Sequence, residues 1–210
     1  MIDPKSYEPF LDQAYDHKSV EETHALYEKW AASYDLELAD KGYRQPVRCA
    51  AALKALMPQG GSILDVGCGT GLSGAALHHA GYETIDGCDF SSAMLDKAKD
   101  TGVYGRLFEA DLNKPPLDVS DAEYDALVAV GVFSMQHVEA DAMEELIRVV
   151  KPGGPIIIGL NDKFYRLGTL RAKLDALSAL GRLSQLSHDH GEHIPEIGLT
   201  GWVISLKRAI

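Results

Sequence analysis

The chain holds 210 residues, 46% apolar and 24% charged, with a formal charge of −11 at neutral pH. That length fits one ordinary domain with a sizeable core, and the balance belongs to a soluble globular protein. No apolar run approaches the roughly 20 residues of a membrane helix, and the acidic excess disfavours nucleic acid, where Lys and Arg must neutralise phosphates.

The first residues, Met1-Ile2-Asp3-Pro4-Lys5, lack a basic flank ahead of an apolar stretch, so no secretory signal is visible. Cys49, Cys68 and Cys88 have no C-x-x-C spacing and read as reduced thiols of a cytoplasmic protein. Between Val20 and Asp40, Leu26, Tyr27, Trp30, Tyr34 and Leu38 recur at helical spacing. A second helix is expected over Pro46–Leu56, ended by Met57-Pro58-Gln59-Gly60-Gly61.

From Ser62 the pattern alternates. Strands are expected at Ser62–Val66, Glu83–Cys88, Tyr104–Glu109 and Tyr124–Val130. Between the early ones lie a helix over Leu72–Ala80 and another, N-capped by Ser91, running to Lys99. Asp141-Ala142-Met143-Glu144 reads as a capping box opening a helix to Val150, stopped by Lys151-Pro152-Gly153-Gly154. Pro155–Leu160 is a fifth strand, although proline supplies no amide to a ladder. Leu167, Leu170, Leu174 and Leu177 mark an amphipathic helix, and Gly201–Arg208 a terminal strand. The intervening "HDHGEH", His188 to His193, reads as a polar loop.

This order predicts an α/β fold, a Rossmann-like doubly wound parallel sheet in a single domain. Residues 1–40 form a helical lid, 60–160 a cofactor-binding core, and 161–210 a substrate-side helix and strands. In such sheets ligands bind beyond the carboxyl ends of the strands. Asp65 ends the first strand and leads into Gly67-Cys68-Gly69-Thr70-Gly71, Asp89 follows the second, and Asp111 follows the third.

Gly69, Gly71 and Gly74 satisfy the G-x-G-x-x-G pattern of a dinucleotide loop. In that fingerprint the first glycine follows the strand directly, whereas Gly69 sits four residues beyond Asp65. No Lys or Arg lies between Gly60 and Lys97 to offset a diphosphate. An acidic rim suits a cofactor that bears a sulfonium and an ammonium and no phosphate, which favours S-adenosylmethionine over NAD.

"LDVGCGTG" (Leu64 to Gly71), "GCDFSSAML" (Gly87 to Leu95), "ADL" (Ala110 to Leu112) and "RVVKPGG" (Arg148 to Gly154) stand in the order of class I S-adenosylmethionine-dependent methyltransferases, which the chain resembles. It is similar, more closely, to the methyltransferase-like group named for the Williams–Beuren syndrome region. That likeness extends through "YEKWAASYD" (Tyr27 to Asp35), "GVYGRLFEADL" (Gly102 to Leu112) and "VGVFSMQHV" (Val130 to Val138).

The resemblance implies a mostly parallel sheet of seven strands with the last antiparallel. It implies that the loop with Asp65, Gly67, Cys68, Gly69, Thr70 and Gly71 wraps the methionine part of the cofactor. Asp89 would bind the ribose hydroxyls, with Phe90 and Met94 beside the adenine. Asp111 would accept from the adenine amino group, with Ala110 and Leu112 alongside. Val130 and Gly131 would face the methionine portion, and Tyr27, Trp30 and Tyr34 would cover the cofactor.

His137 follows the fourth strand, where a substrate-facing base is placed, and Tyr34 is a second candidate. The spacing of His188, His190 and His193 matches no defined zinc site, so no metal is expected. Lys163, Arg166, Arg171, Lys173 and Arg182 make the tail helix locally basic, by default a solvated face. The expected activity is methyl transfer to a small-molecule acceptor. The alternatives are a non-catalytic S-adenosylmethionine-binding protein or one subunit of a heteromeric enzyme, and, from the glycine pattern alone, an NAD-dependent oxidoreductase.

Overall fold

The computed structural model describes residues 41–133 and 138–210, together with Leu38. The helix expected between Val20 and Asp40, with Tyr27, Trp30 and Tyr34, and the candidate base His137 lie outside those residues. In chain order the elements are α1 (Gln45–Leu56), β1 (Ser62–Val66), α2 (Leu72–His79), β2 (Thr84–Asp89), α3 (Ser92–Asp100), β3 (Leu107–Glu109) and β4 (Ala126–Val130). There follow α4 (Met143–Val149), β5 (Pro155–Asn161), α5 (Asp162–Leu167), α6 (Thr169–Ala179), β6 (Leu183–Ile194) and β7 (Leu199–Arg208).

Among the described residues seven strands form one sheet, ordered β3-β2-β1-β4-β5-β7-β6. β7 runs antiparallel to both β5 and β6, and the pairs from β3 across to β5 are parallel. The strand order reverses at β1, which pairs β2 on one side and β4 on the other. The carboxyl ends of β1 and β4 therefore flank the crevice where such folds hold ligands.

Alternation along each strand feeds two cores. Ile63, Ile85, Val128, Ile157 and Val203 pack with Cys49 and Leu53 of α1 and Leu77 of α2. Leu64, Val66, Leu127, Ile156 and Ile158 pack on the other face with Leu146 of α4, Phe164 of α5 and Leu174 of α6. Burial on both faces explains why β4 and β5 read as continuous apolar runs, each such side chain contributing about 2 kcal/mol.

Several elements depart from the sequence reading, each for a physical reason. "HDHGEH" is not a loop; it lies within β6, an edge strand in which His188 to Glu192 pair with Ile204 to Thr200 of β7 before the register shifts at His193. Charged residues suit an exposed edge, where they discourage further strand pairing, and they hide the apolar alternation that marks a strand. The capping box does not form. Ala140–Ala142 make a 3-10 turn ahead of α4, and Asp141 and Glu144 instead ion-pair with Lys173 of α6 at 2.8 and 2.7 Å. Gly168, at φ +81°, splits the tail helix in two and leaves Leu167 exposed, whereas Leu170, Leu174 and Leu177 are buried. Pro155 is tolerated because it opens β5, ahead of the residues paired with β4. Tyr104 does not enter β3; its side chain turns into the glycine loop.

Candidate functional site

At the end of β1, Asp65 shares the face of Ile63, toward α1 and α2, and has no solvent exposure. Its Oδ2 accepts from Ser73 Oγ and from the Tyr104 hydroxyl, each at 2.7 Å. Its Oδ1 is buried and has no hydrogen-bond partner among the described residues. Burial pushes the carboxyl up to about 6, against the two hydroxyl donors that favour its charged form. The Tyr104 hydroxyl also accepts from Gly74 N at 3.1 Å, and burial together with the Asp65 charge drives its pKa far above the ordinary range. It stays protonated and donates.

The loop from Gly67 turns beneath β2. Cys68 N donates to Cys88 O at 3.0 Å and Gly71 N to Cys68 O at 2.9 Å. Cys68 and Thr70 are buried, and desolvation with the Asp65 and Asp89 charges raises the Cys68 thiol, so it is no thiolate nucleophile. A Cβ added at Gly67 would meet Val132 Cγ2 at 2.5 Å, whereas one at Gly69 would meet nothing within 4 Å among the described residues. Among those residues Gly69 thus fronts open space.

Asp89, at the end of β2, is 7% exposed. Its Oδ2 accepts from Gly69 N at 2.9 Å and its Oδ1 from Ser91 N at 3.0 Å, so one carboxylate ties the glycine loop to the cap of α3. Ser91 Oγ caps that helix by accepting from Met94 N, as its sequence position predicts, and Met94 itself is buried. Phe90 beside it is half-buried. Beyond β3, Ala110 N donates to Asp89 O at 2.8 Å. Asp111 is partly exposed; burial opposes its charge, but Lys114 at 2.9 Å and the Asn113 amide hold its carboxyl below the ordinary value. Leu112 is buried. At the end of β4, Val130 is half-buried and Gly131 exposed, with Gly131 N bonded to Gly159 O at 2.8 Å.

The carboxyl edge thus gathers Asp65, the Gly67–Gly71 loop, Asp89, Phe90, Ala110, Asp111, Leu112, Val130 and Gly131. Their three carboxylates lie at graded depth, from fully buried Asp65 to partly exposed Asp111. Ser73 and Tyr104 were not legible as site residues, because their contacts exist only once α2 and the approach to β3 fold over β1. The histidines of β6 do not converge. His188 Nδ1 pairs with the Tyr165 hydroxyl at 2.9 Å, His190 lies 4.7 Å from the Trp202 ring, and His193 is buried beside Tyr43.

A match to the family model described as "Methyltransferase domain" spans residues 63–154, the segment that carries these strand ends. Methyltransferase-like protein 27 of Homo sapiens is 36% identical over 74% of this chain and 66% of its own length. The chain belongs to the class I S-adenosylmethionine-dependent methyltransferases. Demethylmenaquinone methyltransferase of Bacillus licheniformis is 34% identical over 64% of this chain and 60% of its own. The chain therefore spans just under two thirds of the length of these curated relatives. Its fold is shared by a solved S-adenosylmethionine-dependent methyltransferase from Methanococcus maripaludis, at a TM-score of 0.64 and 16% identity, covering 93% of this chain and 96% of that one.

S-adenosylmethionine is the cofactor of this family, and the residues present fit it. The strand ends are anionic and, among the described residues, the loop offers open space at Gly69 and the Asp65 Oδ1 beneath it has no partner.

Proposed function

We propose that this chain transfers the methyl group of S-adenosylmethionine to a small-molecule acceptor. The observation that carries the reading is Asp89, a nearly buried carboxylate bonded to Gly69 N beside the open face of the loop. Its Oδ2 accepts from Gly69 N and its Oδ1 from Ser91 N, which fixes the carboxylate at the mouth of the loop, where a ribose diol needs an acceptor. The backbone of Gly67–Gly71 would hold the methionine portion with Val130 and Gly131. Phe90 would lie against the adenine, and Asp111, kept ionised by Lys114, would accept from its amino group.

The cofactor supplies an already activated methyl on a sulfonium. The chain's own task is to align an acceptor and exclude water. A net charge of −11 argues for a small acceptor over a nucleic acid. The relative whose name specifies demethylmenaquinone points the same way.

Calorimetric titration with S-adenosylmethionine, S-adenosylhomocysteine and NAD, alongside Asp89→Ala, tests the cofactor reading. Micromolar binding of the first two, lost in the variant, is the expected result; binding of NAD alone would sink it. Turnover against small-molecule and tRNA panels then tests the acceptor class. Transfer to tRNA only, or to nothing, would refute the small-molecule assignment.

A further inference from the structure

One aromatic ring sets the shape of the glycine loop. A Cβ added at Gly71 would stand 3.2 Å from Tyr104 Cε2, one at Gly74 2.2 Å from its hydroxyl, and one at Gly87 2.9 Å from its Cε1. The loop, the first turn of α2 and the middle of β2 all close on that ring. Its hydroxyl then joins β1 to α2, donating to Asp65 Oδ2 at 2.7 Å and accepting from Gly74 N at 3.1 Å.

We propose that Tyr104 is a positioning residue for S-adenosylmethionine, acting through the buried Asp65 carboxylate and the turn from Gly67 to Gly74. The proposal rests on the reading that this loop holds that cofactor.

The environment of Asp65 shows why the hydroxyl matters. The titratable groups facing it are Asp89 and Cys88 from β2, Cys68 from the loop, Cys49 from α1 and Tyr104 itself. Among the described residues Asp65 forms no ion pair. Its charge is kept by hydroxyl donors, Tyr104 and Ser73, on one oxygen. A negative charge beneath the loop favours a ligand carrying a sulfonium and an ammonium, and the interior screens it weakly. Without the Tyr104 hydroxyl, the Gly74 amide loses that acceptor and Asp65 protonates at higher pH.

Tyr104→Phe keeps the ring among the three glycines and removes only the hydroxyl. Its affinity for S-adenosylmethionine and S-adenosylhomocysteine is measured by calorimetry from pH 5.5 to 8.5, with the melting temperature of the cofactor-free protein. The variant is expected to bind S-adenosylmethionine roughly tenfold more weakly at pH 7, the worth of one charge-assisted hydrogen bond. The pH at which binding fails on acidification should move up, and S-adenosylhomocysteine, which lacks the sulfonium, should lose less. Ser73→Ala should move the midpoint the same way without touching the ring. Should Tyr104→Phe not fold, 3-fluorotyrosine at position 104, a stronger donor of the same shape, should move the midpoint down. Wild-type affinity and an unmoved midpoint in these variants would overturn the role of Tyr104. Absence of S-adenosylmethionine binding by the wild type would overturn the underlying reading as well.

Discussion

Asp65→Asn should stabilise the cofactor-free protein at pH 8 while weakening its hold on S-adenosylmethionine. Asp65 is fully buried, and burial, opposed by the Ser73 and Tyr104 hydroxyls, lifts its carboxyl from the ordinary 3.8 to about 6. The folded chain holds this proton more tightly than the unfolded chain. The group's contribution to stability is therefore fully present below pH 3.8 and lost as the pH rises through about 6. At about 1.4 kcal/mol per pH unit, ionised Asp65 costs the fold about 3 kcal/mol at pH 8. Asparagine has the same shape and no charge, and its carbonyl oxygen accepts from both hydroxyls. The Nδ2 of asparagine takes the place of Oδ1, which has no partner among the described residues, at a cost of about 1–2 kcal/mol. A domain of this size shifts by about 2–4 °C per kcal/mol, so the variant should melt roughly 2–8 °C above the wild type at pH 8. The difference should reverse sign near pH 4, where the wild-type carboxyl is protonated. Calorimetry on the same samples should show weaker S-adenosylmethionine binding at pH 8. A variant that melts at or below the wild type at pH 8, with a difference that ignores pH, would refute the reasoning.

His193 carries the opposite linkage. Burial, with the Arg48 guanidinium nearby, lowers its imidazole from 6.5 to about 4, so its contribution is present above pH 6.5 and lost as the pH falls through about 4. Denaturant melts of His193→Leu should gain about 3 kcal/mol at pH 4.5 relative to the difference at pH 8, and an acid limb like that of the wild type would count against it. Glu145, nearly buried, accepts from Leu117 N at 2.6 Å and from Arg148 at 2.6 and 2.8 Å. Glu145→Ala should cost about 1–3 kcal/mol, chiefly by leaving the Leu117 amide without its acceptor, since Arg148 keeps Asp121 at 2.6 Å. Cofactor affinity should be unchanged, and a parallel loss of affinity would show that α4 is coupled to the site.

What was legible in the sequence follows a physical divide. The parallel strands β1, β2, β4 and β5 are buried on both faces, so their apolar runs and the turns that end them mark them within a residue or two. Ser91 was legible as a cap because capping is local, a side chain three residues from the amide it serves. The capping box at Asp141 failed because Lys173, distant in sequence, outcompeted the local bond. β6 was missed because half of its pattern is supplied by β7. His190 pairs with Trp202 and Gly191 with Gly201, and nothing in "HDHGEH" alone announces that. Asp65, Asp89 and Asp111 were legible as one constellation because strand ends in a parallel sheet share an edge. Their differing depth was not, since it depends on which helix covers each.

The glycines themselves divide the same way. Gly69, Gly71 and Gly74 spell a dinucleotide loop, yet among the described residues only Gly69 of the three fronts open space. At Gly71 a side chain would meet Thr101 at 2.9 Å and Tyr104 at 3.2 Å, and at Gly74 the Tyr104 hydroxyl at 2.2 Å. Gly74 is therefore glycine because a tyrosine packs against it, and Gly71 because Thr101 and Tyr104 crowd it and its φ is +96°. Ligand approach explains only the third. A pattern match counts glycines without asking what each one makes room for. The structure answers that residue by residue, and here it removes the support that G-x-G-x-x-G lends to NAD. The carboxylates stand apart from that pattern, and they match a cationic cofactor.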